Sequence, residues 1–151
     1  MADVAKVYPV FDNKFKIGIK GLDSTASDMV IIANVENFAP SIDGGVEEWN
    51  AMEHGGWGDA MMTSKKLSFG FSGKRTYGDP GNDYVAGLAW KSGNDVVTKF
   101  EWEMPSGAKV EFDCIVNVTT PSGGDSTAID GLEFEVHCKG RPKYTPATII
   151  P

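Results

Sequence analysis

The sequence is poor in the residues that cross-link small domains or bind metals, with two cysteines and two histidines among 151 residues. Apolar and polar residues alternate around Cys114 and Cys138, and both cysteines fall at the apolar positions. We expect them to be reduced thiols packed in a core, with a disulfide as the less favoured alternative. A metal site needs clustered ligands, and His54 and His137 stand far from each other in the chain. No metal and no cofactor is predicted.

Long apolar runs are also missing. The nearest approach to one is the segment 29–35, far short of the roughly 20 residues that span a bilayer. The N-terminus, MADVAKVYPVFDNKFKIGIKG, does not join a basic start to an apolar run and a small-residue cleavage site, which is the pattern of a secretory signal. We therefore expect a protein that is made in the cytoplasm and does not enter a membrane.

Basic residues are outnumbered, 14 against 21 acidic residues, and the formal net charge is -7. A surface of that sign repels the phosphate backbone of nucleic acids rather than gripping it. The charge therefore disfavours a protein that binds DNA or RNA.

The motifs of common enzymes are absent as well. No glycine-rich loop leads to a Lys-Ser or Lys-Thr pair, and no Gly-x-Ser-x-Gly occurs, so nucleotide and hydrolase chemistry lose their main support. Two carboxylate pairs, Glu111 with Asp113 and Glu133 with Glu135, could serve a glycosidase as acid and base. Residues two apart in a strand share one face, however, and such pairs are more simply a solvated surface. We predict no catalytic residues, and a protein that is not an enzyme.

Glycine is abundant, with 18 residues in 151, and apolar residues alternate with polar ones over much of the chain, which together favour a mainly β protein. Strands are predicted at 15–19, 29–38, 46–52, 67–71, 96–104, 110–118 and 132–138. A break is predicted between Pro40 and Gly45. One helix, 83–91, is predicted to begin with Asn82 or Asp83 as its cap, to end before Gly93 and to lie on a sheet.

The length fits a single domain. We place that domain at residues 1–142, followed by an extended C-terminal tail at 143–151, because the end of the chain has several prolines and no periodicity.

A candidate contact loop spans residues 53–63. It combines three glycines with Trp57, Met61 and Met62, a mixture of backbone freedom and apolar side chains unlike an ordinary solvated loop. With His54, these are the predicted contact residues between subunits. For Trp57 two alternatives stay open, an anchor folded back on its own domain and a platform for binding sugar.

The second half of the chain, roughly residues 64–142, resembles the major tail, or tail tube, protein of long-tailed (siphovirus-type) bacteriophages, the lambda-like tail tube family. The resemblance follows the order of pieces, which are a strand at 67–71, a helix ending in Gly-Leu-Ala-Trp, the hairpin 100–112, and a last strand that closes with Gly-Arg-Pro at 140–142. The first half is similar only in its general layout of strands and one long loop.

The resemblance implies a β-sandwich with one flanking α-helix and a long contact loop. Six copies would close into a ring-shaped β-barrel, and stacked rings would form the virion's tail tube. DNA would pass through this tube without specific binding. The implied partners are other copies of the chain and the tape-measure, tail tip and terminator proteins, with the chain's own N- and C-terminal segments as further contacts. A lumen that passes DNA should be negative, and Glu111, Asp113, Glu133 and Glu135 are the lumen candidates.

Two alternatives remain. A carbohydrate-binding or adhesion β-sandwich is favoured if Trp57 stays exposed and binds sugar. Another virion protein, such as a tail terminator or a capsid-decorating subunit, differs in how it assembles, since a terminator stops at one ring whereas a tube continues.

Overall fold

In a computed structural model that describes residues 5–147, the chain forms eight β-strands, one α-helix and six short 3₁₀ helices. The mainly β fold with one helix is therefore confirmed. The strands are β1 (Lys14–Gly18), β2 (Met29–Ile31), β3 (Val35–Asn50), β4 (Gly58–Lys74), β5 (Val97–Glu103), β6 (Lys109–Thr120), β7 (Gly131–Cys138) and β8 (Lys143–Thr145), and the helix, α1, is Pro80–Gly87.

The described strands form one antiparallel sheet in the order β2-β1-β5-β6-β7-β4-β3, with β8 added against β6. The sheet is strongly curled. Strands β1 and β3 stand near its opposite ends, yet the rings of Phe15 on β1 and Phe38 on β3 lie 4.6 Å apart. The predicted sandwich is thus one curled sheet with its apolar face inside. Among the described strands β2 and β3 remain edges, so no closed barrel is formed within the subunit.

The core follows from the alternation of the longest strands. On β6, Val110, Phe112, Cys114 and Val116 are buried, whereas the residues between them are exposed. The inner face of β7 alternates in the same way. Aromatic rings dominate the interior, and Phe69 stacks on Phe112 with the ring centroids 5.7 Å apart. Because side chains alternate across a strand, this pattern sends every second residue to the outer face of the sheet.

Cys114 and Cys138 stand directly opposite each other on β6 and β7 as free thiols. Cys114 is buried and Cys138 half-buried. Burial raises the pKa of Cys114 to about 12 and also raises that of Cys138. Because the thiolate is the reactive form, both groups act as packing residues at neutral pH.

The helix starts earlier than predicted. Asp79, not Asn82 or Asp83, is its cap: the backbone N–H of Asn82 donates to the Asp79 carboxylate at 2.9 Å, and Pro80 occupies the first turn. Proline is well suited to that position because its fixed φ already matches a helix. The predicted C-terminal part is instead a 3₁₀ turn, Leu88–Trp90.

Asn82 is buried, and its side chain links three parts of the chain by hydrogen bonds. Its Nδ2 donates to the carbonyls of Ala33 at 3.1 Å and Lys74 at 3.0 Å. Its Oδ1 accepts from the Arg75 guanidinium at 3.0 Å and from the N–H of Thr76 at 2.9 Å. All four hydrogen-bonding positions of the amide are therefore used, and they fasten α1 to the end of β4 and to the link between β2 and β3.

Arg75 extends this cluster to the surface. It donates to Asp83 at 2.8 Å and lies over the ring of Tyr77, 4.1 Å from its centroid. The hydrogen bond from Arg75, with another from the N–H of Gly78, lowers the pKa of Asp83.

Two predictions about the region 40–63 are wrong. The break between Pro40 and Gly45 does not occur, since β3 runs through it to Asn50. Pro40 is tolerated because β3 is an edge strand, where a missing N–H need not break a ladder. The contact loop 53–63 is also not a loop, because β4 already begins at Gly58. Met61 and Met62 therefore lie in a strand.

Three residues of the segment placed at 143–151 belong to the sheet. Lys143–Thr145 form β8, which pairs with the beginning of β6. Residues 148–151 lie outside the described part of the chain.

Replacing Asn82 by alanine should lower the free energy of unfolding by about 3 kcal/mol, because its hydrogen bonds to two half-buried carbonyls, to the Arg75 guanidinium and to the N–H of Thr76 are all lost. Urea unfolding followed by tryptophan fluorescence measures the change. The matched control is Asn94→Ala, at an exposed position, for which a change within about 0.5 kcal/mol is expected. Equal effects of the two substitutions would contradict the role given to Asn82.

Candidate assembly surfaces

The most conspicuous surface is an arm formed by residues 39–66 of β3 and β4. Going outward from the core along β4, Leu67 is the outermost buried residue. From 39 to 66 the chain is exposed apart from three half-buried positions. At about 3.3 Å per residue, the end of the strand at Gly58 stands about 30 Å beyond Leu67. A two-stranded ribbon of this kind is marginally stable at best when it stands alone in water.

One face of the arm continues the apolar face of the core. The register pairs Pro40 with Phe69 and Ile42 with Leu67, and further out Val46 pairs with Met62. Paired residues project to the same side of a ribbon, so the buried row of the body extends into exposed Ile42, Val46 and Met62. No other part of residues 5–147 covers this row.

The other face of the arm is apolar too. Met61, opposite Glu47, and Trp49, opposite Asp59, project to the side away from Met62. Both are exposed. The structure therefore separates the two predicted contact residues Met61 and Met62 onto opposite faces, and a partner that covers one face leaves the other bare.

The end of the arm carries the two most exposed of its large apolar side chains, Met52 at 98% and Trp57 at 81%. Gly55 and Gly56 turn the chain there with φ values of 59° and 92°, which glycine adopts without strain. His54 is half-buried within the turn, where its carbonyl accepts the N–H of Trp57 at 3.1 Å. Trp57 is thus not folded back on the body.

The four acidic lumen candidates lie on one outer face of the sheet. Glu111 and Asp113 are exposed on β6, and Glu133 and Glu135 are exposed on β7. They share this face but form two separate pairs, because Glu135 and Glu133 stand opposite Asn117 and Thr120, at the other end of β6 from Glu111 and Asp113.

Only two of the four lumen candidates have a lysine opposite them on a neighbouring strand. Lys143 on β8 stands opposite Glu111, and Lys99 on β5 stands opposite Asp113. The residues of β4 opposite Glu133 and Glu135 are serine and glycine. Glu111 also faces Glu101 of β5, and His137 lies 3.2 Å from Glu135. The two pairs thus differ in having lysines opposite them, a distinction that depends on strand register and is not visible in the sequence.

Glu135 is held in its charged form by two neighbours. It accepts hydrogen bonds from His137 and from Asn117, both at 3.2 Å, and they lower the pKa of its carboxyl group. A carboxylate so held stays ionised to lower pH, which keeps the outer face of β7 negative.

A third surface lies beside the N-terminal segment, which the sequence indicated as a contact only in general terms. Val7, Val10 and Phe11 are exposed, Phe11 to 84%. Next to them an open cleft of about 340 Å³ lies between β1 and the start of β3, and its walls include Val10, Phe11, Phe15 and Phe38. Apolar side chains exposed together around a cleft are typical of a contact surface.

Within residues 5–147, no three histidine, cysteine, aspartate or glutamate side chains come together in a way that could hold a metal ion. No helix in that range has the length and apolar character needed to cross a membrane.

The fold was compared with solved structures. A chain from the tail of an empty gene transfer agent (GTA) particle with C6 symmetry superposes with a TM-score of 0.71, covering 93% of this chain and 100% of that one at 14% identity. A chain from the virion of a native GTA particle gives a TM-score of 0.70 over the same shares at 15% identity. This protein has the GTA tail fold. The predicted resemblance to tail proteins is confirmed for the fold, whereas no family model and no curated protein matches the sequence.

For a GTA-tail-like subunit with a bare arm, amide hydrogen exchange should differ sharply along one continuous pair of strands. In the free subunit, amides at 43–64 should exchange at least about a hundredfold faster than those of buried β6, because nothing packs on the ribbon. Hydrogen–deuterium exchange with mass spectrometry measures this. The β6–β7 hairpin is the internal control. Equal protection of the arm and β6 in a verified monomer would show that the arm is stable without cover.

Proposed function

We propose that this protein is a structural, non-enzymatic subunit of a phage-like tail, in which six copies form a ring and rings stack into a tube that conducts DNA. The likeness to GTA tail chains over 93% of the sequence supports a tail role. The C6 symmetry of the tail in that comparison supports rings of six. The observation that carries the proposal furthest is the arm.

The arm requires other copies for a physical reason. Its two faces present Ile42, Val46 and Met62 on one side and Trp49 and Met61 on the other. Exposed apolar surface of this extent marks an interaction site. In a tube each arm would lie between neighbouring subunits, which covers both faces at once. A sugar molecule bound at Trp57 would leave most of these residues bare.

The free edges of the sheet also support the proposed assembly. Among the described strands, β3 and β2 have no neighbour on their outer sides, and free edges promote uncontrolled association. Closing six sheets into one ring-shaped β-barrel removes such edges, because every strand at a boundary gains a neighbour. A closed ring also fixes the number of subunits that it contains.

The acidic face would line the channel. Fixed negative charge repels the DNA backbone and lets it slide without binding. Glu133 and Glu135 are the strongest candidates because the residues directly opposite them on β4, Ser72 and Gly70, are uncharged, and Glu111 and Asp113 would contribute less. The tape-measure, tail tip and terminator proteins are the further proposed partners, in a virion tail whose subunits are made in the host cytoplasm.

Negative-stain electron microscopy of the purified, concentrated protein tests the assembly. We expect rings, and tubes with a continuous central channel, because the arm surfaces are complementary only to other copies. Adding tail-tip proteins controls for a need for initiation. Single particles at every concentration, with and without the tip proteins, together with glycan binding that is lost in Trp57→Ala, would overturn the tube and favour a binding module.

The lumen assignment predicts the effect of reversing charge. Tubes of the double variant Glu133→Lys, Glu135→Lys should form normally but retain double-stranded DNA, because lysines in the channel attract phosphate. Co-sedimentation of DNA with tubes at low salt measures this. The control is Asp95→Lys with Asp130→Lys, which makes the same charge change at exposed positions off this face. Equal DNA retention by both variants would remove these glutamates from the lumen.

A further inference from the structure

The arm tip, defined as residues 46–61, combines apolar exposure with charge of one sign. It has no lysine or arginine, and its acidic residues are Glu47, Glu48, Glu53 and Asp59. All four are exposed. A partner for this tip should therefore offer apolar surface surrounded by positive charge.

The N-terminal surface, defined as residues 5–20 with the cleft beside them, has that character. Within residues 5–20 the only acidic residue is Asp12, and the lysines are Lys6, Lys14, Lys16 and Lys20. Lys20 pairs with Asp28 at 3.6 Å, which leaves Lys6 and Lys14 as exposed charges.

The rim of the cleft carries charge of both signs. Lys14 and Glu36 both line it, and Glu36 pairs with Lys74 at 3.2 Å. Lys14 has Glu103 opposite it on β5 but forms no salt bridge among the described residues, so its charge can still meet an acid from another chain.

Size and shape agree with the charges. The cleft of about 340 Å³ has room for an aromatic or methionine side chain, and the arm tip presents Trp57 and Met52 almost fully exposed. Large side chains seated in an apolar pocket and surrounded by polar contacts are the usual anchors of a protein interface.

We propose that the arm tip of one copy docks on the N-terminal surface of a second copy, with Trp57 or Met52 seated in the cleft and the tip's carboxylates facing Lys6 and Lys14. This contact rests on the proposed tube, since it names what the arm binds there. An extended arm of about 30 Å holds its tip away from its own body, so the occupant comes from another subunit.

The contact joins two different surfaces of the same chain. Each subunit therefore carries one donor tip and one acceptor cleft, and such a head-to-tail contact propagates instead of ending at a dimer. Stacking of rings without a fixed end follows from this asymmetry.

A mixing experiment tests the head-to-tail contact. The tip variant is Met52→Ala with Trp57→Ala, and the cleft variant is Val10→Ala with Phe11→Ala. All four positions are exposed, so circular dichroism and the thermal midpoint should remain those of the unchanged protein. Each variant alone should fail to stack. In a mixture, the intact cleft of the tip variant should accept the intact arm tip of the cleft variant. The pair then has no further working tip or cleft, so growth should stop at pairs of subunits or pairs of rings. Mass photometry measures the size of the products.

Charge reversal provides an independent measurement. Glu48→Lys with Glu53→Lys in the tip should raise the concentration needed for stacking at least about tenfold, as should Lys6→Glu with Lys14→Glu on the acceptor surface. Combining all four changes should restore stacking, whereas combining the tip changes with Asp95→Lys and Asp130→Lys should not.

The outcomes separate this inference from the tube itself. If the unchanged protein forms tubes and both alanine variants do so equally well, the tip-to-cleft contact is wrong and the tube stands. If the mixture of variants grows no further than either alone and the charge changes do not rescue each other, the contact is also wrong. If the unchanged protein never forms rings or tubes under any condition, the proposed function fails, and this contact with it.

Discussion

Backbone pairing between β3 and β4 continues far beyond the point where the core ends, and the surfaces offered to other copies depend on it. The pairing runs from Phe38 opposite Phe71 outward to Asn50 opposite Gly58, with one register shift between Gly45 and Val46. Hydrogen bonds between two strands do not by themselves stabilise a ribbon in water. In the proposed assembly other chains would cover the arm and stabilise it, which would couple the folding of the arm to assembly.

The body has to be rigid for such an arm to be aimed. Asn82 fastens α1 to the end of β4 through Lys74 and to the link between β2 and β3 through Ala33. These are the bases of the two strands that form the arm. A satisfied buried amide fixes one arrangement, because any shift leaves polar groups unpaired in the interior. The direction of the arm is therefore set by a cluster that lies well away from its tip.

The sequence alone predicted most of the curled sheet and little of the arm. Strands β6 and β7 were predicted with their correct faces because each has one buried and one solvated side, and only such strands show period-two alternation. In the arm, Val46, Trp49 and Met52 do not alternate, since both faces and the tip carry apolar groups. Glycines and Pro40 then suggested a break. The helix cap was predicted at Asn82 or Asp83, whereas Asp79 fills that position. Which charges face each other, such as Lys143 and Glu111, depends on long-range register that no local pattern contains.

The charge on the arm tip also addresses a hazard that the exposed apolar surface creates. Bare apolar ribbons tend to associate with one another indiscriminately. Here two tips that approach each other bring Glu47, Glu48, Glu53 and Asp59 against the same four residues, and like charges without counter-charge oppose contact. Approach to a surface with free lysines is favoured by the same carboxylates. One set of side chains therefore disfavours the symmetric contact and favours the asymmetric one, and an asymmetric contact is what a growing tube requires.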